Sequence, residues 1–268
     1  MKITYIGIDL MFPVLKKLVE CGCEVLEIFT CKTDNFTEFN TEITAYAVKN
    51  GIRLTDERIT VKDFDRLKSS GCEAVFCAGY YHKIPVYKDI PTVNIHPSLL
   101  PHGKGSWPMP YYILEGKSKG GITVHKVAEG FDTGDILWQN EFSLTNKDNL
   151  ETYMCKAMSV LCEDMHMLVR NFRKLYDNAK PQGDGCYLKA PSAEMYTVTE
   201  STSCYDADRI FRAFYGYECY YKSGNNCLIL IKPHAVKNDE YVQNDGCIAF
   251  RLSDGYAVCE KEHVFDVN

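Results

Sequence analysis

KITYIGIDLMFPVLKKLVECGCEVLEIFT, residues 2–30, reads as strand, helix, strand. Residues 2–8 are apolar and partly β-branched, as a buried strand requires. Leu10, Val14 and Leu18, beside Met11, Leu15 and Val19, recur at helical spacing. Val25–Thr30 is a second apolar run of strand length. The same alternation continues outward. A helix over 38–50 stops at Gly51, followed by a short extended piece at 52–54, a helix at 61–69 and strands at 74–78 and 92–96. Strands alternating with helices over about 100 residues predict an α/β fold, an open, mostly parallel sheet with helices on both faces.

The first strand ends in Gly7-Ile8-Asp9-Leu10. A dinucleotide-binding fold needs G-x-G-x-x-G there, so that class of site is excluded despite the similar layering. No G-x-x-x-x-G-K-[ST] occurs, and chemistry driven by a nucleoside triphosphate has no support. Beyond residue 120, residues 121–127 and 136–142 alternate at period two and predict strands joined by the loop 128–135. One long helix is expected next. Leu150, Met154, Ala157, Leu161, Met165, Leu168, Phe172 and Leu175 form a single apolar stripe. The breaker-rich segment 180–186 (KPQGDGC) marks a boundary between a domain at 1–182 and a small β-rich one at 186–268. In the latter a helix at about 205–214 and strands at 217–222, 227–233, 246–251 and 256–260 are expected. Nine of the 18 tyrosines lie there, either to pack a domain poor in aliphatics or to face an aromatic ligand.

The chain has 268 residues, 46% hydrophobic and 25% charged, with a formal net charge of −6. That balance argues against a general nucleic-acid binder. No run approaches the roughly 18 apolar residues of a membrane span, and the start lacks a signal-peptide pattern. The 13 cysteines include no C-x-x-C pair and many sit in apolar runs, as expected of reduced thiols in a cytoplasmic protein. No His/Cys cluster has metal-ligand spacing, and no metal is expected.

The densest chemical signal lies in residues 93–135. Asn94 and His96 are two apart on a strand, so their side chains leave one face. Pro97 ends the strand, which places the pair at the carboxyl end, where open α/β sheets bind ligands. Acyl transfer to an amine needs a donor for the developing oxyanion and a group to take the amine proton. An Asn amide and a His imidazole suit those tasks, and Asp132 is a carboxylate able to orient the imidazole or accept the proton.

Asn94-Ile95-His96-Pro97-Ser98-Leu99-Leu100-Pro101, followed 36 residues after His96 by Asp132 within Gly130-Phe131-Asp132-Thr133-Gly134-Asp135, resembles the signature of the folate-dependent formyltransferases. Gly103-Lys104-Gly105, Pro108 and Gly116 fall at matching places between them. The resemblance implies a formyltransferase-type core and, more faintly, an OB-like tail domain. It implies Asn94, His96 and Asp132 as catalytic residues and N10-formyltetrahydrofolate as co-substrate. It also implies folate contacts from Tyr81, His82, Lys83 and Ile84, from Ser98, Leu99, Leu100 and Pro101, and from Gly130 and Asp135. Lys104 stands where the family usually has Arg, and it keeps the charge without the bidentate fork.

Among acceptors, a small amine on a nucleotide-linked sugar is favoured over tRNA. Residues 186–268 carry 8 Lys and Arg against 12 Asp and Glu, a net of −4, whereas tRNA binding calls for several phosphate-neutralising cations. Methionyl-tRNA formyltransferase and a formyltetrahydrofolate hydrolase are the alternatives. No membrane association is expected, and homo-oligomerisation is open.

Overall fold

The computed structural model describes residues 1–267. The chain divides into two compact units. The first takes Met1–Ser106, Gly120–Phe142 and Lys156–Leu188, and the second takes Trp107–Lys119, Ser143–Cys155 and the residues from Lys189 onward. This differs from the contiguous division expected at 182–186. Residues 183–188 stay with the first unit because they are tied to its loops. Backbone bonds join Lys104 N–H to the Cys186 carbonyl (3.1 Å) and Leu188 N–H to the Lys104 carbonyl (2.7 Å).

Seven strands, β1 (Lys2–Gly7), β2 (Glu24–Phe29), β3 (Arg53–Thr55), β4 (Ala74–Ala78), β5 (Thr92–His96), β6 (Lys119–Lys126) and β7 (Ile136–Ser143), form one sheet. Its order is β3-β2-β1-β4-β5-β6-β7. The pairs β1–β2, β2–β3, β1–β4 and β4–β5 are parallel, and β5–β6 is antiparallel. The helices are α1 (Phe12–Glu20), α2 (Thr41–Asn50), α3 (Val61–Ser69), α4 (Met109–Leu114), α5 (Leu150–Arg170), α6 (Phe172–Asp177) and α7 (Cys204–Ala213). Strand order runs outward from β1 in one direction and resumes at β4 in the other. Such a reversal opens a crevice at the carboxyl ends of the strands.

Local chemistry shapes that edge. Gly7 pairs with Ala78 across β1 and β4, and a Cβ on it would collide with the Ala78 carbonyl. Asp9 follows, and its carboxylate accepts the backbone N–H groups of Glu42 and Ile43 at 2.9 Å each, which caps α2 from a distance. The loop that would cradle a pyrophosphate in a dinucleotide site thus carries a negative charge of its own. On one side of the sheet Ile6, Phe29, Val75 and Cys77 pack with Phe64 and Leu67 of α3 and with Ile84.

The single helix expected over 150–175 is two. Asn171 breaks it at φ −108° and ψ 14°, and its side-chain amide donates to the Met167 carbonyl at 2.9 Å. An Asn that bonds the preceding turn competes with the helical backbone. The expected apolar stripe is otherwise buried at Leu150, Met154, Ala157, Leu161, Met165, Leu168 and Phe172.

The second unit is β-rich. Strands β8 (Thr197–Thr199), β9 (Glu218–Ser223), β10 (Asn226–Ile231), β11 (His234–Lys237), β12 (Cys247–Arg251), β13 (Gly255–Glu260) and β14 (Val264–Asp266) form two sheets, β14-β10-β9-β8 and β11-β13-β12. Several of its tyrosines pack against other rings. Tyr196 lies against Phe214 and Tyr220, Tyr217 against Trp107, and Tyr241 against Tyr256. All thirteen cysteines are free, and seven are buried. Among the described residues no helix is long and apolar enough to cross a membrane.

Candidate active site

Asn94 and His96 sit on β5 with β6 antiparallel beside it, and the register sets Asn94 opposite His125 and His96 opposite Thr123. The loop from β6 to β7 brings Asp132 back over this pair. Asn94 Nδ2 lies 3.3 Å from Asp132 Oδ1, and His96 Nδ1 lies 3.6 Å from the same oxygen. The three residues that the sequence marked as catalytic therefore meet.

A fourth member was not expected. His125 Nε2 lies 3.2 Å from Asn94 Nδ2 and 3.5 Å from Asp132 Oδ1. The signal lay in residues 121–127, whose alternation points His125 and Thr123 to one face. Only the antiparallel register with β5 shows that this face is the one bearing Asn94. His125 is 2% exposed, and replacing it with Phe leaves the Lys126 carbonyl and one Asn94 N–H without a partner. We expect His125→Phe to lower stability by about 1–3 kcal/mol. Urea unfolding measures it, and an unchanged midpoint would mean that neither bond matters to the fold.

The proton positions follow from partners that can only accept. His96 Nε2 is 2.7 Å from the Gly103 carbonyl, so Nε2 carries the proton and Nδ1 presents its lone pair toward Asp132. His125 Nδ1 is 2.9 Å from the Lys126 carbonyl, which fixes its proton there in the neutral ring. Burial lowers the pKa of His96 below its usual 6.5, against the opposing pull of Asp132 and of the Gly103 carbonyl. Burial alone would raise Asp132, but the adjacent His125 and His96 rings and the Gly105 N–H that it accepts hold its carboxyl at about 2. Near neutral pH the site therefore pairs an ionised Asp132 with a neutral His96.

The loops are conformationally specialised. Asp132 itself adopts φ +54°, a left-handed geometry that costs a non-glycine residue of order 1 kcal/mol or more. Its Oδ2 accepts the Gly105 N–H at 2.9 Å. Gly105 has φ +118°, and a Cβ there would collide with the Leu188 carbonyl.

The expected folate-contacting residues divide by environment. Tyr81 is half exposed, and His82 and Lys83 are exposed, with Lys83 Nζ 3.5 Å from Glu129. Ile84 is in the core cluster, which leaves its backbone rather than its side chain for a ligand. Lys83, Ile84, Pro85 and Glu129, with Arg58 and Ile59, line an open cleft of about 510 Å³. The Ser98 hydroxyl donates to the His102 carbonyl, and buried Leu100 is held through its N–H by Thr123 and through its carbonyl by Gln139. Leu99 packs over Gly121, and Leu100–Pro101 is a cis peptide. Gly130 accepts the Thr133 hydroxyl at 3.0 Å. Asp135 does not join the cluster, because its carboxylate pairs with Lys126 at 3.0 Å.

Fold and site together define an α/β protein with a buried amide, imidazole and carboxylate cluster at the carboxyl edge of its sheet. Residues 44–165 match the family model described as formyl transferase. A methionyl-tRNA formyltransferase of Ehrlichia ruminantium is 29% identical over 192 residues, 70% of this chain and 60% of that protein. The chain thus spans less than two thirds of that relative. Among solved structures, HypX from Aquifex aeolicus in complex with tetrahydrofolic acid is similar with a TM-score of 0.73 at 16% identity, covering 97% of this chain and 44% of HypX. A sugar N-formyltransferase from Shewanella gives 0.67 at 17% identity, covering 91% of this chain and 99% of that one. Over residues 44–165 the chain is thus similar to the formyl transferase family, and its fold is shared with solved structures of that kind.

Proposed function

We propose that the protein transfers the formyl group of N10-formyltetrahydrofolate to a primary amine, in the first instance that of a nucleotide-linked amino sugar. The observation that carries this reading is the convergence of Asn94, His96 and Asp132, with the His96 Nδ1 lone pair open toward the carboxylate. The amine nitrogen attacks the formyl carbon, a C–N bond forms and the bond from carbon to N10 breaks. His96 takes the proton that the amine loses and returns it to N10, with Asp132 stabilising the imidazolium in between. The Asn94 N–H groups make long bonds of 3.2 and 3.3 Å, and a developing oxyanion competes for one of them. The cleft shared by Lys83, Ile84 and Glu129 supports placement of the folate beside the Asp132 loop.

One observation favours a sugar over tRNA: residues 186–268 are net acidic. The test is a donor-consumption assay with 10-formyltetrahydrofolate against nucleotide-linked amino sugars, charged initiator tRNA and no amine. Turnover with a sugar alone supports the reading. Turnover with tRNA overturns the acceptor, and equal turnover without amine makes the protein a hydrolase.

The same chemistry fixes a pH response. Only neutral His96 has a free Nδ1, and burial holds its pKa below 6.5. The kcat should therefore be flat at pH 7 and above on this limb, and fall tenfold per pH unit only below a midpoint more acid than 6.5. A midpoint above 7 would contradict His96 as the base.

A further inference from the structure

We propose that Gln182 is a positioning residue that holds Asp132 in its working conformation, an inference that rests on the catalytic reading of Asp132 given above. The Gln182 side-chain Nε2 donates to two carbonyls of the catalytic loop, Asp132 O at 2.9 Å and Gly134 O at 2.6 Å. The orientation of its amide is fixed, because both partners can only accept. Its Oε1 is buried without a partner, so the side chain is held by the loop and not by a balanced set of bonds. The residue lies fifty positions after Asp132, in the stretch that sequence reading treats as a boundary.

Its neighbours anchor it. Lys180 and Ile136 exchange backbone bonds of 2.9 and 2.8 Å just past the Asp132 loop. At the other end, Cys186 accepts the Gly103 N–H on its sulfur and the Lys104 N–H on its carbonyl. Gly185 lies so close to the Pro101 carbonyl that a Cβ would collide with it. Residues 180–188 thus form a strap across both loops that face His96, and Gln182 is its one side-chain bond to Asp132 among the described residues. Asp132 at φ +54° is where such a restraint has most to do, since an isolated non-glycine residue leaves that geometry readily.

Gln182→Met keeps the length and removes the donors, and Gln182→Glu keeps the shape and does the same at neutral pH. Both should lower kcat roughly 10- to 100-fold with the KM for the folate donor unchanged within about twofold. The double variant with Asp132→Asn should be no slower than Asp132→Asn alone, because Gln182 acts through that carboxylate. A second readout needs no turnover. The groups facing His96 are Asp132, His125 and the Gly103 carbonyl, and a carboxylate that drifts away shifts the His96 titration, followed by NMR, to more acid pH. Wild-type kcat and an unmoved His96 titration in both folded variants, with Asp132→Asn inactive, would overturn the proposal. A fully active Asp132→Asn would instead overturn the catalytic reading beneath it.

Discussion

Asp132→Asn is expected to reduce formyl transfer by roughly 10²- to 10⁴-fold while the protein stays folded. The side chain is isosteric, so packing is kept. The charge is not. The carboxylate is held at about 2 by His125, His96 and the Gly105 amide, and it is ionised throughout the working range. An amide in its place cannot stabilise an imidazolium on His96. It can also turn its NH₂ toward the His96 Nδ1 lone pair, 3.6 Å away, and occupy the atom that should receive the proton. The measurement is kcat with the best acceptor, alongside far-UV circular dichroism. Activity within threefold of wild type would remove Asp132 from the chemistry.

The second large effect is on the scaffold. Gly105→Ala should destabilise the protein by about 2–4 kcal/mol, from left-handed strain and from steric overlap. At φ +118° the new Cβ meets the Leu188 carbonyl, which is backbone and cannot rotate aside. For a domain of this size that corresponds to a fall in Tm of roughly 5–15 °C. Transfer should fall as well. The Gly105 N–H binds Asp132 Oδ2, and the Gly103 carbonyl two residues earlier fixes the His96 proton. A Tm within 1 °C of wild type would show that this loop moves freely. Scanning calorimetry and the same transfer assay separate the two losses.

The fold and the site rest on two kinds of information. The alternation of strand and helix over residues 2–96 is local, and β4, α3 and β5 lie where hydrophobic periodicity puts them. The pairing of Asn94 with His96 on one face is also local, because it follows from strand geometry alone. The break at Asn171 is not set by periodicity. A polar residue in an apolar stripe can stay in a helix or end it, and its bond to Met167 decides. His125 illustrates the next level. Its strand is plain in the sequence, but its place opposite Asn94 depends on the antiparallel register of β5 and β6.

Gln182 and the strap around it lie furthest from what periodicity can show. Pro181, Gly183 and Gly185 read as a linker because breakers disfavour regular structure, and nothing in their spacing says which backbone they will meet. The sequence by itself determined the α/β alternation, the placement of Asn94 and His96 on one face of a strand and the exclusion of a dinucleotide loop, since each rests on residues near one another in the chain. Only the tertiary structure decided which histidine shares Asp132 and which segment restrains it. Those are contacts between side chains and carbonyls up to fifty residues apart, set by strand register and loop closure.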